Sequence, residues 1–408
     1  MLDKSLSLKP DVVARIGPTR KPQRPAASQA SKLLVPYNRP PVLGREIEYV
    51  QDALQRRHFS GDGHYTHLCQ EWFTTRLQAS STRLTHSCTA ALEMAAILAD
   101  VGPGDEVVMP SFTFVSTANA FVLRGATPVF VDIDPDTLDL DPDQLERAIT
   151  DRTKAVVVVH YAGVIAEMNA IADVARRHRL LIIEDAAQAL GSYYHGRPAG
   201  SLSNLACFSF HETKNVVSGE GGALVVNDDR LVERADVIRE KGTNRTAFHK
   251  RLVDKYTWVD IGSSYLPSEI TAAFLWAQLE NAEEITASRT RIWARYQSVF
   301  RALESSETFR CPIVPDHCTH NGHIYYLLMP SRAKRDDLIT KLGEDGILAP
   351  FHYVPLHSSP AGRRYGRTSG DLTHTNSVSE RLLRLPLFMD LGDDQEFVID
   401  RVLAHLTN

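Results

Sequence analysis

AVVVVHYAGVIAEMNAIADVARRHRLLIIED, residues 155–185, decides the fold. Two short apolar runs, AVVVVHY and LLIIED, flank a helical segment. Neither run alternates polar with apolar residues, so both of its faces are buried, as in a strand lying between helix layers. The same grammar extends outward on both sides, with RLTHS, EVVMP and TPVFVDI before it and ACFSF and GALVVN after it. Strands that alternate with helices between Leu84 and Asn227 predict an α/β domain built on a mostly parallel, seven-stranded sheet.

Beyond this region, residues 44–57 carry apolar residues at helical spacing, and a second helical stretch runs through Leu77. A helix around 229–246 leads into the polar segment EKGTNRTAFHK, and a helical stretch over 268–305 is long enough to connect two domains. After residue 309 the pattern predicts strands near 324–329 and 347–351 and helices around 332–343 and 377–383. Prolines at 312, 315, 330, 355 and 360 punctuate it, which suits a smaller α+β domain. The expected division is a mobile N-terminal extension over 1–32, a large α/β domain over 33–285, and a small C-terminal domain over 286–408. The extension is rich in Pro, Ser, Lys and Arg and has no continuous apolar core; a regulatory or targeting role is the alternative to a simple tail.

A chain of 408 residues that is 43% hydrophobic and 23% charged, with a net charge of −5, has material for more than one core. No basic stripe points to nucleic acid, and no apolar run is long enough to span a bilayer. The five cysteines are scattered and form no CxxC pair, so neither a disulfide framework nor a metal site is expected, and a reducing, cytoplasmic setting fits.

Four stretches carry chemistry. FSFHETKN (208–215) leaves a strand and enters the glycine-rich GEGG (219–222), so Lys214 sits where ligands bind in open α/β sheets. A neutral lysine amine condenses with an aldehyde; taken alone, an ordinary surface lysine reads as well. In LLIIEDAAQALGS (180–192), Glu184 and Asp185 end an apolar strand, where a carboxylate needs a partner. Asp185 could keep a pyridine nitrogen protonated, with Gln188 as a donor to a ring hydroxyl; helix capping is the plain alternative. In HSCTAALEMAAIL (86–98), Ser87, Cys88 and Thr89 open an Ala-rich helix whose free N–H groups suit a phosphate, and Ser209 could add a hydroxyl. Capping again is the alternative. In PSFTFVSTANA (110–120), Phe114, chosen over Phe112, could lie flat on a ring or belong to the core. Arg245, Lys250 and Lys255 could meet a diphosphate or be solvated surface charge. A phosphate cradle, a stacking ring, a carboxylate and a lysine share one explanation, a bound pyridoxal 5′-phosphate.

Residues 36–405 resemble the DegT/DnrJ/EryC1/StrS family of sugar aminotransferases. The resemblance runs through PSFTFVSTANAFVLRGA, VHYAGV, EDAAQ, CFSFHETKN, GEGGA, REKGTNR, DKYTW, DIGSSYL, FHYVPLH, PAG and SERLLRLPLF. It implies the fold-type I aminotransferase architecture and a homodimer with active sites at the subunit interface. It implies that Lys214 forms the Schiff base, that Asp185 pairs with the pyridine nitrogen and that Gln188 meets the ring hydroxyl. Cys88, Thr89 and Ser209 would hold the phosphate and Phe114 would stack on the ring. L-glutamate would leave as 2-oxoglutarate while the cofactor cycles through pyridoxamine phosphate. The acceptor implied is a dTDP-keto-sugar, dTDP-4-keto-6-deoxy-D-glucose giving dTDP-4-amino-4,6-dideoxy-D-galactose; another dTDP- or UDP-keto-sugar, aminated at the 3- or 4-position, or a pyridoxal-phosphate-dependent sugar dehydratase, is the alternative. Many members place an Asn of the neighbouring subunit at the phosphate, but SSYLPSE (263–269) has none, so Tyr265 or a serine is expected there. His352 in FHY resembles a family histidine near the sugar. Members that dehydrate sugars carry histidine in place of the Schiff-base lysine, so Lys214 implies transamination.

Overall fold

The computed structural model describes residues 34–407; the extension expected over 1–32 lies outside the described residues. The strands are β1 (Ser81–Thr85), β2 (Glu106–Pro110), β3 (Thr127–Val131), β4 (Thr153–Val159), β5 (Leu181–Asp185), β6 (Leu205–Ser209) and β7 (Gly222–Val226). They lie side by side in the order β1-β7-β6-β5-β4-β2-β3. Only β7 runs antiparallel to its neighbours. All seven expected strands are present, and Arg367–Thr368 adds an eighth, paired in parallel with β3. Two residues carry no period, so nothing in the sequence announces that edge strand.

β4 shows why these runs are strands. Val156 and Val158 enter one core layer, while Ala155 and Val157 enter the other. Successive side chains leave opposite faces of a strand, so a valine run is stable only between two covering layers. Each valine buried this way contributes about 1.5–3 kcal/mol. One layer is covered by helices Glu46–Arg56, His64–Leu77, Met168–His178 and Glu269–Glu280, through residues such as Tyr49, Phe73, Ile171 and Ala273. The other is covered by Cys88–Leu98 and Val115–Val122, through Met94, Leu98 and Phe121. The Ala-rich face of Cys88–Leu98 lets that helix pack close to the sheet, and the Ser87 hydroxyl accepts the Ala90 N–H to start it.

The stretch expected to form one helix over 268–305 is two helices, Glu269–Glu280 and Ala282–Phe300. Asn281 (φ −111°, ψ 14°) breaks them, and its side chain donates to the Ala277 carbonyl. An Asn that takes a backbone carbonyl competes with the helix ladder, and apolar spacing does not register it.

The C-terminal residues hold a core of their own, centred on Trp293, Tyr296, Phe300, Tyr325, Leu383 and Val398. Tyr325–Leu328 pairs antiparallel with Leu382–Leu385. The strand expected near 347–351 is reduced to isolated bridges at Ile347 and Phe351, with Pro350 between them lacking a ladder donor. The helix expected around 377–383 is Thr373–Arg381 and yields at Leu382 to the second strand. Among the described residues no helix is long and apolar enough to cross a membrane.

Candidate active site

The carboxyl ends of β2, β4, β5 and β6 face the start of helix Cys88–Leu98 across a cleft of about 660 Å³. In a sheet of this order a ligand site forms where strand ends and a helix N-terminus converge. The C-terminal residues His323, His352, Tyr353 and Arg384 close the opposite wall.

Strand alternation separates the two acids that end β5. Glu184 points into the protein, where it accepts from Gly200 N–H (2.7 Å), Leu202 N–H (3.0 Å) and the Ser203 hydroxyl (2.8 Å), and pairs with His160 (3.0 Å). Burial pushes its carboxyl up, but the His160 partner and these donors outweigh it and hold it below the usual carboxylate range. Asp185 lines the cleft. Among the described residues its carboxylate accepts only the Thr117 hydroxyl (2.7 Å) and the Ala187 N–H (3.2 Å). Burial therefore wins, and its carboxyl lies above the ordinary range. Such a carboxylate is poised for a cationic partner.

Lys214 stands in the loop between β6 and β7. That loop is closed by Phe210 N–H to Gly221 O, Ser218 N–H to Phe210 O and Glu212 N–H to Gly219 O. Gly219, at φ +79°, makes the turn that a side chain would strain. The next residue, Asn215, is fixed to Asn321 O (3.0 Å) and to the His323 ring (2.8 Å). Loss of solvent in the cleft draws the Lys214 amine below the ordinary lysine range, with Cys88 and Asp185 opposing.

Cys88 and Thr89 open the helix at one end of the cleft, beside Ser209. The Thr89 hydroxyl is 2.8 Å from that of Ser116, a residue the sequence reading missed. A methyl group at Gly222 would collide with the Ser87 carbonyl carbon and the Cys88 nitrogen. The glycine thus lets β7 pass directly under the helix start, where a bulkier residue would push the N–H groups away. Phe114, 56% exposed, lines the cleft, whereas Phe112 is 1% exposed and packs against Tyr161 and Tyr353. Gln188 is held at both ends, its oxygen by Ala162 N–H (2.8 Å) and its nitrogen by the Tyr353 hydroxyl (3.0 Å). His352 also lines the cleft, 3.0 Å from the Tyr161 hydroxyl.

Cys88, Thr89, Phe114, Asp185, Gln188, Ser209, Lys214 and His352 are therefore brought together. Four residues expected at substrate or at a neighbouring subunit's phosphate do not line this chain's cleft. Tyr265 is 6% exposed, stacks on His86, and donates to Glu93 (3.3 Å) within the helix layer. Arg245 lines a second, polar pocket of about 840 Å³, 3.6 Å from Glu240, and Lys250 shares that pocket. Lys255 is exposed outside both. Thr117, His323, Tyr37 and Arg384 went unread. Thr117 could have been found from its place one helical turn after Phe114, and Arg384 from the charge that interrupts the apolar SERLLRLPLF; Tyr37 and His323 reach the cleft only through tertiary packing.

Lysine, carboxylate, helix start and aromatic face are a donor set that fits pyridoxal 5′-phosphate. The profile of the DegT/DnrJ/EryC1/StrS aminotransferase family matches residues 43–406. The UDP-4-amino-4-deoxy-L-arabinose–oxoglutarate aminotransferase of Shewanella sediminis is 32% identical, over 92% of this chain and 98% of its own. The aminotransferase TlmJ from Streptoalloteichus hindustanus is 32% identical, with a TM-score of 0.84, over 92% of this chain and 99% of that one. Spr1654 from Streptococcus pneumoniae, described as a sugar aminotransferase and solved in a PMP-form, has a TM-score of 0.85 at 27% identity, over 91% of this chain and 99% of that one.

Proposed function

The chain belongs to the DegT/DnrJ/EryC1/StrS aminotransferase family, and from that premise we propose that it moves an amino group from L-glutamate to a nucleotide-linked keto-sugar. The observation that carries this reading is the shared cleft of Lys214, Asp185 and the helix start at Cys88. Bound there, pyridoxal 5′-phosphate supplies an aldehyde that receives amines and a protonated ring that withdraws electrons from the carbon beside the nitrogen. Lys214 would hold it covalently. As a free amine, drawn below the ordinary lysine range, Lys214 would take the proton from the α-carbon of glutamate. Asp185 would keep the ring nitrogen protonated, and Thr117 and Ala187 fix the direction in which its oxygens point. The helix start, Thr89 and Ser209 would hold the phosphate, Phe114 would offer an apolar face to the ring, and Gln188 would be a donor to its hydroxyl. Donor and acceptor use the site in turn, which predicts ping-pong kinetics.

We read the sheet as the core of the larger domain, 33–285, and the Trp293 cluster as that of the smaller, 286–408. A homodimer is supported by exposed large apolar side chains, among them Leu123 (70%), Phe59 (50%) and Trp258 (79%). Arg245 and Lys255 stand away from this chain's cleft and would reach substrate only across that interface. The acceptor proposed is dTDP-4-keto-6-deoxy-D-glucose, because SERLLRLPLF, DIGSSYL and FHYVPLH resemble the dTDP-4-amino-4,6-dideoxygalactose transaminases of the family.

The test is incubation of protein, cofactor and glutamate with a panel of dTDP- and UDP-keto-sugars, followed by mass spectrometry and NMR of the products. Amination of the dTDP-4-keto sugar is expected. An intact glutamate pool with every panel sugar unchanged overturns the reading, and dehydrated products reassign the reaction.

A further inference from the structure

The SERLLRLPLF stretch contains a charge that the mechanism above does not use. Arg384 lies in the strand Leu382–Leu385, where Leu383 and Leu385 face the C-terminal core and Leu382 faces the other side with Phe112 and Tyr161. Alternation turns Arg384 the other way, into the wall of the cleft. There it lies over the Tyr37 ring, 4.4 Å from its centre, and donates to the Tyr37 hydroxyl (3.0 Å) and the Phe351 carbonyl (3.1 Å). Both acceptors are uncharged. Its Nε–H is buried and has no hydrogen-bond partner among the described residues. Its field reaches the site: after burial, the Arg384 cation is the main cause holding His352 well below the ordinary histidine range, and it also acts on Lys214 and Tyr353.

A cation fixed by two neutral oxygens, with a buried N–H left over, is costly without an anion. The cofactor's phosphate does not supply one, since its cradle is at the Cys88 end, while Arg384 stands beside Phe351 and His352. Each terminal nitrogen gives one N–H to a neutral oxygen and keeps a second, and this pair of remaining N–H groups in the cleft wall matches a carboxylate end-on. We infer that Arg384, oriented by Tyr37, is the binding site for a carboxylate of the amino-acid donor. This rests on the reading that an amino acid reaches Lys214. Tyr37 is its positioning residue, so the N-terminal segment and the C-terminal strand jointly select the donor.

The test uses the holoprotein and the variants Arg384→Gln, Arg384→Lys and Tyr37→Phe. Two readouts are taken: half-saturating glutamate and keto-sugar in their separate half-reactions, and calorimetric titration with succinate, a dicarboxylate that lacks both amine and ketone. Arg384→Gln should raise half-saturating glutamate roughly 30-fold or more, with keto-sugar saturation nearly unchanged, and should abolish succinate binding. Arg384→Lys should recover part of the glutamate affinity, and Tyr37→Phe should weaken it by a smaller factor. A selective loss of keto-sugar affinity overturns the proposal in favour of a diphosphate contact. Unchanged saturation by both substrates reduces Arg384 to a strut between Tyr37 and Phe351. Failure of the wild-type protein to aminate any sugar would count against the proposed reaction, whereas the succinate titration would still decide the role of Arg384.

Discussion

Asp185→Asn and Glu184→Gln change neighbouring residues, yet the structure predicts opposite failures. In Asp185→Asn the amide oxygen can keep the Ala187 N–H. The amide nitrogen can donate to Thr117, whose hydroxyl then turns to Thr113, 2.9 Å away. No buried group is orphaned, so apoprotein stability should change by less than ~1 kcal/mol. The cofactor's protonated ring, however, loses its charged partner in a site where Asp185 is 6% exposed. Removing one member of such a pair costs about 2–5 kcal/mol, or roughly 30-fold to several thousand-fold in rate if it is expressed in the transition state. Glu184→Gln behaves differently. Whichever way the amide is turned, its NH2 opposes either the Gly200 or the Leu202 N–H, leaving a buried donor unpaired at a cost of ~1–3 kcal/mol. That variant should melt several degrees lower while its folded fraction turns over nearly normally. Calorimetry of apo- and holoprotein, with stopped-flow absorbance of the glutamate half-reaction, separates the two. An Asp185→Asn protein reacting within about threefold of the parent, or melting as low as Glu184→Gln, would refute the division of labour on β5.

Three further outcomes follow from the same geometry. Because burial raises Asp185 above its ordinary value of 3.8, its contribution to apoprotein stability is complete below that value and is lost as pH rises through the folded one. Asp185→Asn should accordingly flatten the decline of the urea midpoint above pH ~4, and a profile parallel to the parent's would contradict this. Gly222→Ala forces β7 away from the helix start, so a stability loss of ~1–3 kcal/mol should accompany weaker cofactor binding in an equilibrium dialysis measurement. Unchanged affinity would remove the helix start from the phosphate site. Thr117→Val deprives Asp185 of its closest donor and should slow the glutamate half-reaction by about tenfold or more, with Thr117→Ser restoring most of the rate; equal rates in both variants would make Thr117 a packing residue.

The legible parts of this protein are those whose cause is local. β4 and β5 are readable because a run such as Ala155–Val159 can be stable only inside two layers. Lys214, Asp185 and Cys88 are readable because each follows directly from a strand end or a helix start. What escaped notice is set by tertiary contact. The helix break at Asn281 depends on a side chain turning back to Ala277, and the edge strand Arg367–Thr368 exists only because β3 is there to receive it. Tyr37 and Arg384 meet across nearly the whole chain. Tyr265 was expected at a neighbouring subunit's phosphate from its place in SSYLPSE; within its own chain its ring is buried against His86.

The central claim is that residue 214 carries the cofactor opposite Asp185. Borohydride reduction of the holoprotein, followed by protease digestion and mass spectrometry, should place the pyridoxyl group on the peptide containing Lys214 and on no other. Label on a different lysine, or none on Lys214 at full cofactor occupancy, would contradict it.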